Sequence, residues 1–245
     1  VFSIVGDSCS FWSSTESDGA NALSRNIVYD NSNVTSTSIL KEVGNLVRCV
    51  REGDFAGGSG TPADPYLIST AQQLNNVRNY PYSILLQVND IDLNQSPWNE
   101  GEGWNPIGDN TTPFTGTYDG NGYAIYNLKI DRDGYDNQGL FGFTHNATIK
   151  NLNIVDAWVR VYSSTAIGSL VGYNETSYIF GCHSTGYIEG VNWVGGLVGR
   201  STVGGARIEA SSAHVSTNGA GEYIGGLVGF NDDNAVIDSC YSAGD

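Results

Sequence analysis

The chain has 245 residues, with 26 acidic and 11 basic side chains and a formal net charge of -15. So acidic a surface disfavours nucleic acid and anionic membranes as partners, because both carry negative charge themselves. No run approaches the ~20 apolar residues of a membrane-spanning helix, and we predict no membrane span in this chain. There is no methionine and no leader peptide, so we expect a processed chain or a piece of a longer protein.

Residues 1–52 differ in sequence pattern from the rest of the chain, because they lack the glycine-framed box found later. They contain a dense polar stretch between residues 17 and 38. Three runs resemble the C-terminal part of the Fibrobacter succinogenes major paralogous domain, namely FWSSTE at 11–16, RNIVYD at 25–30 and VRCVR at 47–51. That family belongs to exported bacterial proteins and has a C-type-lectin-like core. The resemblance implies a small, partial lectin-like α+β segment over residues 1–52.

Residues 53–65 form a Gly/Pro-rich junction, after which a helix is predicted over residues 70–79. Ser69 or Thr70 would be its N-cap, with Leu74 and Val77 on the buried side. We expect this helix to cap the first coil of the region that follows, residues 66–245, because an uncapped coil exposes strand edges.

Trp98 and Trp104 flank an acidic loop of sequence NEGEG. Exposed aromatic rings beside acids and amides can bind a glycan, with the ring on the apolar face of the sugar. Alternatively, both tryptophans fold back over the edge of a coil.

Three carboxylates, Asp131, Asp133 and Asp136, lie within seven residues and are the best candidates for a cation. Calcium prefers such oxygen ligands, although the spacing departs from that of an EF-hand. The alternatives are an ordinary acidic loop and no cofactor at all. Asp90 and Asp119 are better explained as caps of turns than as an acid-base pair, and we predict no catalytic residue.

A glycine-framed apolar box returns four times, at residues 139–142, 168–172, 195–199 and 225–229. Such a fixed period indicates stacked units, and two sets of residues recur with it and form the expected structural ladder: Leu140, Leu170, Leu197 and Leu227, then Ile149, Ile179, Ile208 and Ile237. Between them lie short runs rich in β-branched residues and broken by Gly, Asn and Asp, which favour strands and turns. The pattern predicts an all-β fold, a parallel β-helix (β-solenoid) with one short capping helix; a β-sandwich is the alternative.

The boxes, of which the last three are each followed by an I-x-x-C/S segment, resemble the GLUG repeat over roughly residues 54–245. This repeat is found in large bacterial surface proteins and beside some secreted IgA peptidases. The resemblance implies a solenoid and is nearly silent about activity.

The four cysteines divide into two pairs. Cys182 and Cys240 should occupy one position two coils apart, beyond the reach of a disulfide, and we predict free buried thiols. Cys9 and Cys49 are candidates for a disulfide in an exported protein, though sequence leaves the pairing open.

These observations favour a non-enzymatic structural or adhesive module of an exported bacterial surface protein. We expect an extracellular or cell-surface location and a glycan or a neighbouring cell surface as ligand. One alternative is a subunit of an extracellular filament that associates head to tail. The other is a carbohydrate-binding or polysaccharide-degrading β-helix.

Overall fold

The computed structural model describes residues 54–244 and, as backbone strands, residues 8–16, 21–28 and 34–40. The chain divides into two units, Val1–Glu52 and Gly53–Asp245. Cys49 falls outside the described residues, so the disulfide between Cys9 and Cys49 remains a prediction.

The described part of the first unit is an antiparallel three-stranded sheet. Its strands, in the order β1-β2-β3, are β1 (Ser8–Glu16), β2 (Asn21–Val28) and β3 (Val34–Leu40). A register irregularity separates Trp12 from Glu16 in β1. This sheet alone does not distinguish a lectin-like module from other small β units, and that resemblance remains a prediction.

The second unit contains short strands and one short helix. The helix α1 spans Ala71–Asn76 and continues as a 3-10 turn over Val77–Asn79. In chain order, the first strands are β4 (Tyr66–Ile68), β5 (Ile84–Gln87), β6 (Ile91–Asp92), β7 (Thr117–Asp119), β8 (Ala124–Tyr126), β9 (Lys129–Asp131), β10 (Phe141–His145), β11 (Thr148–Lys150), β12 (Asn153–Arg160) and β13 (Thr165–Ile167). The remaining strands are β14 (Val171–Glu175), β15 (Tyr178–Phe180), β16 (His183–Gly190), β17 (Asn192–Gly195), β18 (Val198–Thr202), β19 (Arg207–Glu209), β20 (Ser212–Gly219), β21 (Ile224–Gly225), β22 (Val228–Asn231), β23 (Val236–Asp238) and β24 (Tyr241–Ser242).

These strands wind into a parallel β-solenoid of about five turns, as the sequence predicts. The sheets run along its length, in the orders β4-β5-β7-β11-β15-β19-β23, β6-β8-β12-β16-β20-β24, β10-β14-β18-β22 and β13-β17-β21. A complete coil therefore contributes one strand to each of four faces, as β14 to β17 do. Every strand pair of this unit is parallel, because each coil runs in the same direction as the coil before it.

The recurring leucines and isoleucines point into the solenoid. Ile149 pairs with Ile179, which pairs with Ile208, which pairs with Ile237. Leu140, Leu170 and Leu197 are fully buried in the same core. Identical side chains thus stack from coil to coil at the ~4.8 Å strand spacing, and this stack is the core of the unit.

The coils differ in length, and the extra residues lie in turns and in one β-bulge. Ile149 and Ile179 are 30 residues apart, whereas Val171 and its partner Val198 are 27 apart. A bulge in β12 between Ile154 and Ala157 accounts for one residue of this difference in spacing. Turns of different length between the strands account for the rest. Core register is kept because a slip of one residue would turn every core side chain outward.

The glycines of the box are required by close backbone approach. A Cβ on Gly168 would lie 2.5 Å from the Val171 carbonyl oxygen and 2.6 Å from that of Leu197. The backbone of this glycine has no positive φ, so a left-handed conformation is not the reason for it. The box marks places where neighbouring coils touch through their backbones.

Left-handed residues do recur at corresponding corners of successive coils, but residues other than glycine occupy most of these positions. One corner has φ values of 52°, 59°, 47° and 53° at Asn151, Gly181, Ala210 and Ser239. Such corners are unusual for alanine and serine. The packing of adjacent coils therefore imposes this turn on whichever residue stands there.

The helix begins and packs where the sequence predicts. The Thr70 hydroxyl accepts a hydrogen bond from the Gln73 amide at 3.2 Å, and the Gln73 side chain accepts one from the Ser69 amide at 2.8 Å. These bonds satisfy donors that a helix start leaves without partners. Leu74 and Val77 are fully buried and belong to the core of the solenoid.

We predict that Gly168→Ala lowers the free energy of unfolding by about 2 kcal/mol or more, because the added methyl group overlaps two backbone carbonyls. Gly204→Ala is the matched control, since a Cβ there meets only one atom, at 3.9 Å, and φ is not positive. The control should change stability by less than about 0.5 kcal/mol. Urea unfolding followed by circular dichroism measures both, and equal losses would contradict the role given to the box glycines.

Candidate functional site

A polar cleft of about 680 Å³ lies beside the first coils of the solenoid. One wall is the loop of residues 105–112, and the other is the loop of residues 132–138 between β9 and β10. Arg78, at the end of the helical segment, also lines the cleft. The side chain of Asn137 donates to that of Asn110 at 2.9 Å, so a hydrogen bond joins the two loops.

Arg78 holds one wall in place through carbonyl oxygens. Its guanidinium donates to the backbone carbonyls of Asn105 at 2.8 Å and Pro106 at 3.1 Å, and to the Asn75 side chain at 3.0 Å. Among residues 54–244 it pairs with no carboxylate. Burial, and secondly the nearby charge of Arg132, lowers the pKa of Arg78. The Arg78 guanidinium is therefore hydrogen-bonded to carbonyl and amide oxygens, and no carboxylate among residues 54–244 forms an ion pair with it.

The opposite wall carries a second arginine and an exposed ring. Arg132 contacts the Glu102 carboxylate at 2.8 Å, and its guanidinium lies 5.2 Å from the centroid of the Tyr135 ring. Tyr135 is 55% exposed. The arginine orients the ring while leaving much of it accessible to a ligand.

Gln138, in the same loop, has a buried acceptor that does not reach the surface of the cleft. The residue is 2% exposed, and its side-chain nitrogen donates to the Asp136 carbonyl at 3.0 Å. Its side-chain oxygen has no hydrogen-bond partner among the described residues. A buried acceptor left in this way is rare, because it loses the hydrogen bonds it makes with water.

The candidate calcium ligands do not assemble into a cation site. In the described part of the chain no group of three or more His, Cys, Asp or Glu residues could hold a metal ion. Each carboxylate instead accepts a hydrogen bond from the next coil: Asp131 from Arg160 at 2.9 Å, Asp133 from the Tyr162 amide at 2.6 Å and Asp136 from the Thr165 amide at 2.7 Å. The acidic loop thus fastens one coil to the next, which corrects the cation hypothesis.

The tryptophans do not form the exposed pair that glycan binding would need. Trp104 is fully buried, its indole nitrogen donates to the Leu140 carbonyl at 3.1 Å, and Arg78 lies 5.6 Å from its ring centroid. Trp98 is half-buried and packs against the core. Both rings fold back over the coil edge, so the second of the two sequence interpretations describes them.

Sequence reasoning missed a stack of rings on the outer face of the solenoid. Phe143, Tyr173, Arg200 and Phe230 are in register on β10, β14, β18 and β22. The Arg200 guanidinium lies 4.7 Å from the Tyr173 centroid and 4.6 Å from that of Trp193. The signal was present in the sequence, because each of the four residues stands three positions after a ladder leucine.

Asp119 connects its own turn to the corner at Lys150 and Asn151 in the next coil. It accepts hydrogen bonds from the Asn121 amide at 2.9 Å and the Asn151 side chain at 3.1 Å, and it contacts Lys150 at 3.1 Å. Burial raises the pKa of this carboxyl, but those three partners outweigh burial and the pKa lies below its ordinary value. Asp90 accepts from the Ala124 amide at 2.8 Å in a similar capping role.

The two cysteines of the solenoid are free thiols. Cys182 is fully buried, and burial raises the pKa of its thiol to about 12. Cys240 is only half-buried, because it lies on the last described coil, so the prediction of a buried thiol is wrong for this residue. A thiol held protonated in this way behaves as a small apolar side chain.

The last described coil exposes ladder residues that are fully buried in the coils before it. Ile237 is 40% exposed, although its ladder partner Ile208 is fully buried. Leu227 is only partly buried, although its ladder partner Leu197 is fully buried. The outward side of this coil is therefore an apolar face with unpaired strand edges, which we call the terminal face.

The fold and the recurring box define a parallel β-solenoid. The GLUG motif itself matches residues 220–245. None of the helices in the described ranges is long and apolar enough to cross a membrane.

The chain is 44% identical over 125 residues to a protein provisionally named a Gly-rich membrane protein, from Evansella cellulosilytica. That alignment covers 49% of this chain and 14% of the relative. It is also 40% identical over 122 residues to halomucin from Haloquadratum walsbyi, across 47% of this chain and 1% of halomucin. The chain thus corresponds to a small part of each relative.

One solved structure has a similar fold, a protein provisionally described as an immunoglobulin A1 protease from Bacteroides ovatus. The TM-score is 0.50 at 20% identity, over 78% of this chain and 71% of that chain. At this identity the likeness supports the fold alone.

We predict that Asp119→Asn makes stability less dependent on pH in the acid range. The folded-state pKa is lowered, so the carboxylate stabilises the fold above the unfolded value of about 3.9. This contribution is lost as the pH falls through the folded-state pKa. The asparagine variant should be less stable than the parent at pH 7, and the difference should shrink toward pH 2.

Urea unfolding midpoints between pH 2 and pH 7 measure this effect. Asp64→Asn, at an exposed aspartate of the same unit, is the control and should follow the parent curve. A constant difference between Asp119→Asn and the parent at every pH would contradict the assignment.

Proposed function

We propose that this chain is a non-enzymatic structural module of a large exported cell-surface protein, in which the solenoid acts as a stiff spacer. The observation that carries the proposal is the unbroken stack of coils, in which Ile149, Ile179, Ile208 and Ile237 pair in register. Continuous pairing of this kind makes a rod whose length grows with the number of coils.

The relatives support this role. The chain matches a short segment of a protein named a membrane protein and of halomucin, whose matched part is 1% of its length. A short module within a much longer protein is consistent with a spacer role. The strongly acidic chain, at -15, would keep an extended surface rod soluble and apart from its neighbours.

The terminal face favours a second candidate function, a subunit that stacks on another solenoid coil. Fully burying an isoleucine is worth about 1.5–3 kcal/mol, and Ile237 has 40% of its surface exposed. A further coil, from the same polypeptide or from another copy, would bury this residue and pair the edges of β22 and β23. In the first case the chain is part of a rod, and in the second it is a filament subunit.

An antibody raised against residues 54–244 distinguishes these functions in cells of the source organism. We predict that it labels intact cells and detects a polypeptide much larger than the 26.1 kDa of this chain. Protease added to intact cells should remove the signal while a cytoplasmic marker remains. Labelling only after lysis would contradict the surface location, and a surface species of 26.1 kDa in polymers would favour the filament.

A further inference from the structure

Arg200 on β18 lies among aromatic rings on the outer face of the solenoid. Its guanidinium is 4.7 Å from the ring centroid of Tyr173, 4.6 Å from that of Trp193 and 5.7 Å from that of Phe230. All four side chains are partly buried. Strands β14 and β22 flank β18 on its two sides, so a coil beyond the terminal face would not lie against Arg200. We call these four residues the arginine-aromatic surface.

The guanidinium nitrogens of Arg200 have no acceptor among residues 54–244. Nε is inaccessible to solvent and has no hydrogen-bond partner. The two terminal nitrogens also have no partner, but they remain accessible. No carboxylate of the described residues forms an ion pair with them, whereas Arg132 and Arg207 each pair with a glutamate. A cation–π contact uses the charge of a guanidinium and not its N–H donors, so these donors can bind an anion at the same time.

A second arginine of the chain shows which partner such an arrangement takes. Arg160 also lies beside two rings, 4.8 Å from the centroid of Trp158 and 5.3 Å from that of Tyr162. There the Asp131 carboxylate accepts a hydrogen bond from the guanidinium at 2.9 Å. The two arginines therefore differ in one respect, because Arg160 has its carboxylate within the described chain and Arg200 does not.

The acidic residues that lie nearest in the strand register do not supply this carboxylate. Glu175 stands two residues after Tyr173 on β14, and its carboxylate contacts His145 at 2.7 Å. Glu222 accepts a hydrogen bond from the Trp193 amide through its backbone carbonyl, at 3.1 Å, and its side chain forms no ion pair among residues 54–244. The arginine-aromatic surface is thus a cationic, partly apolar place on a chain whose net charge is -15.

Trp193 occupies a position at which the backbone disfavours a large side chain. Its φ is 53°, and Ala166, which stands at the same position of the coil before, has a φ of 62°. Bulky side chains are rare in this left-handed conformation, and the alanine shows that the coil itself does not require a ring there. Residues held in such conformations cluster at ligand-binding sites, and here the ring lies against the unpaired Arg200.

We propose that the arginine-aromatic surface binds an acidic segment of another polypeptide. A glutamate or aspartate carboxylate of the partner accepts hydrogen bonds from the terminal N–H groups of Arg200, as Asp131 does from Arg160. An apolar side chain beside that carboxylate packs on the rings of Trp193 and Phe230. Arginine, tryptophan and tyrosine are the residues that most often dominate binding between proteins. This surface goes beyond the spacer role, because it gives the rod a lateral attachment point.

An NMR titration of the full chain with two short capped peptides tests the proposal. One peptide has a single glutamate between two leucines, flanked by glycine and serine, and the other has glutamine in place of the glutamate. The glutamate peptide should bind at least about tenfold more tightly, a difference of about 1.4 kcal/mol. It should shift the Nε–H resonance of Arg200 and the indole N–H resonance of Trp193. Salt at about 1 M should weaken binding, because the charge contact is then screened.

Arg200→Gln should weaken binding of the glutamate peptide about tenfold. Arg160→Gln is the matched control, because it also removes an arginine that lies beside two rings, but one that already has its carboxylate. The control should change the affinity by less than about twofold. The shifts at Arg200 and Trp193 in the unaltered protein locate the site independently of how well either variant folds.

Four results would each overturn the proposal. These are absence of binding, equal affinity for the two peptides, equal effects of the two variants, and shifts that leave Arg200 and Trp193 unchanged. Tighter binding of a galacturonic acid disaccharide than of the glutamate peptide would overturn the choice of a polypeptide as partner.

Discussion

Backbone hydrogen bonding between successive coils is the interaction on which the solenoid depends. The Leu140 amide donates to the Ser169 carbonyl at 3.0 Å, the Leu170 amide to Leu197 at 3.0 Å and the Leu197 amide to Leu227 at 2.9 Å. Since these bonds connect residues about 30 positions apart, each coil is ordered only by its neighbours. The box glycines follow from this constraint, because a side chain at Gly168 would separate the coils.

Because each coil depends on its neighbours, most polar side chains form contacts between coils. Asp131, Asp133 and Asp136 accept hydrogen bonds from residues 29 positions later, and Asp119 joins Asn121 to Asn151. These carboxylates satisfy donors at the corners, where the strand ladder is interrupted. Acidic residues that would suggest cation binding or catalysis in isolation thus contribute to the attachment of one coil to the next.

The architecture could be predicted from sequence because the repeat places identical residues on one axis. The repeat period predicted the buried ladder to which Ile208 belongs, and the capping residue Thr70 predicted the start of the helix. What could not be predicted depends on contacts between residues far apart in the chain. Burial of Trp104 requires the Leu140 carbonyl 36 residues away, and the cleft forms only when the loops carrying Asn110 and Asn137 meet. The left-handed corner at Ala210 has no local signal, because alanine does not favour that conformation.

Hydrogen exchange of individual amides, followed by NMR, tests most directly whether order in each coil depends on the coils around it. We predict the slowest exchange at central strand amides such as Ile179, and faster exchange at Ile208. The fastest exchange of the three should be at Ile237, whose side chain is 40% exposed on the terminal face. Such a gradient is expected where stability is a sum over neighbouring coils. Uniform protection from Ile179 to Ile237 would contradict the account, as would faster exchange at Ile179 than at the terminal face.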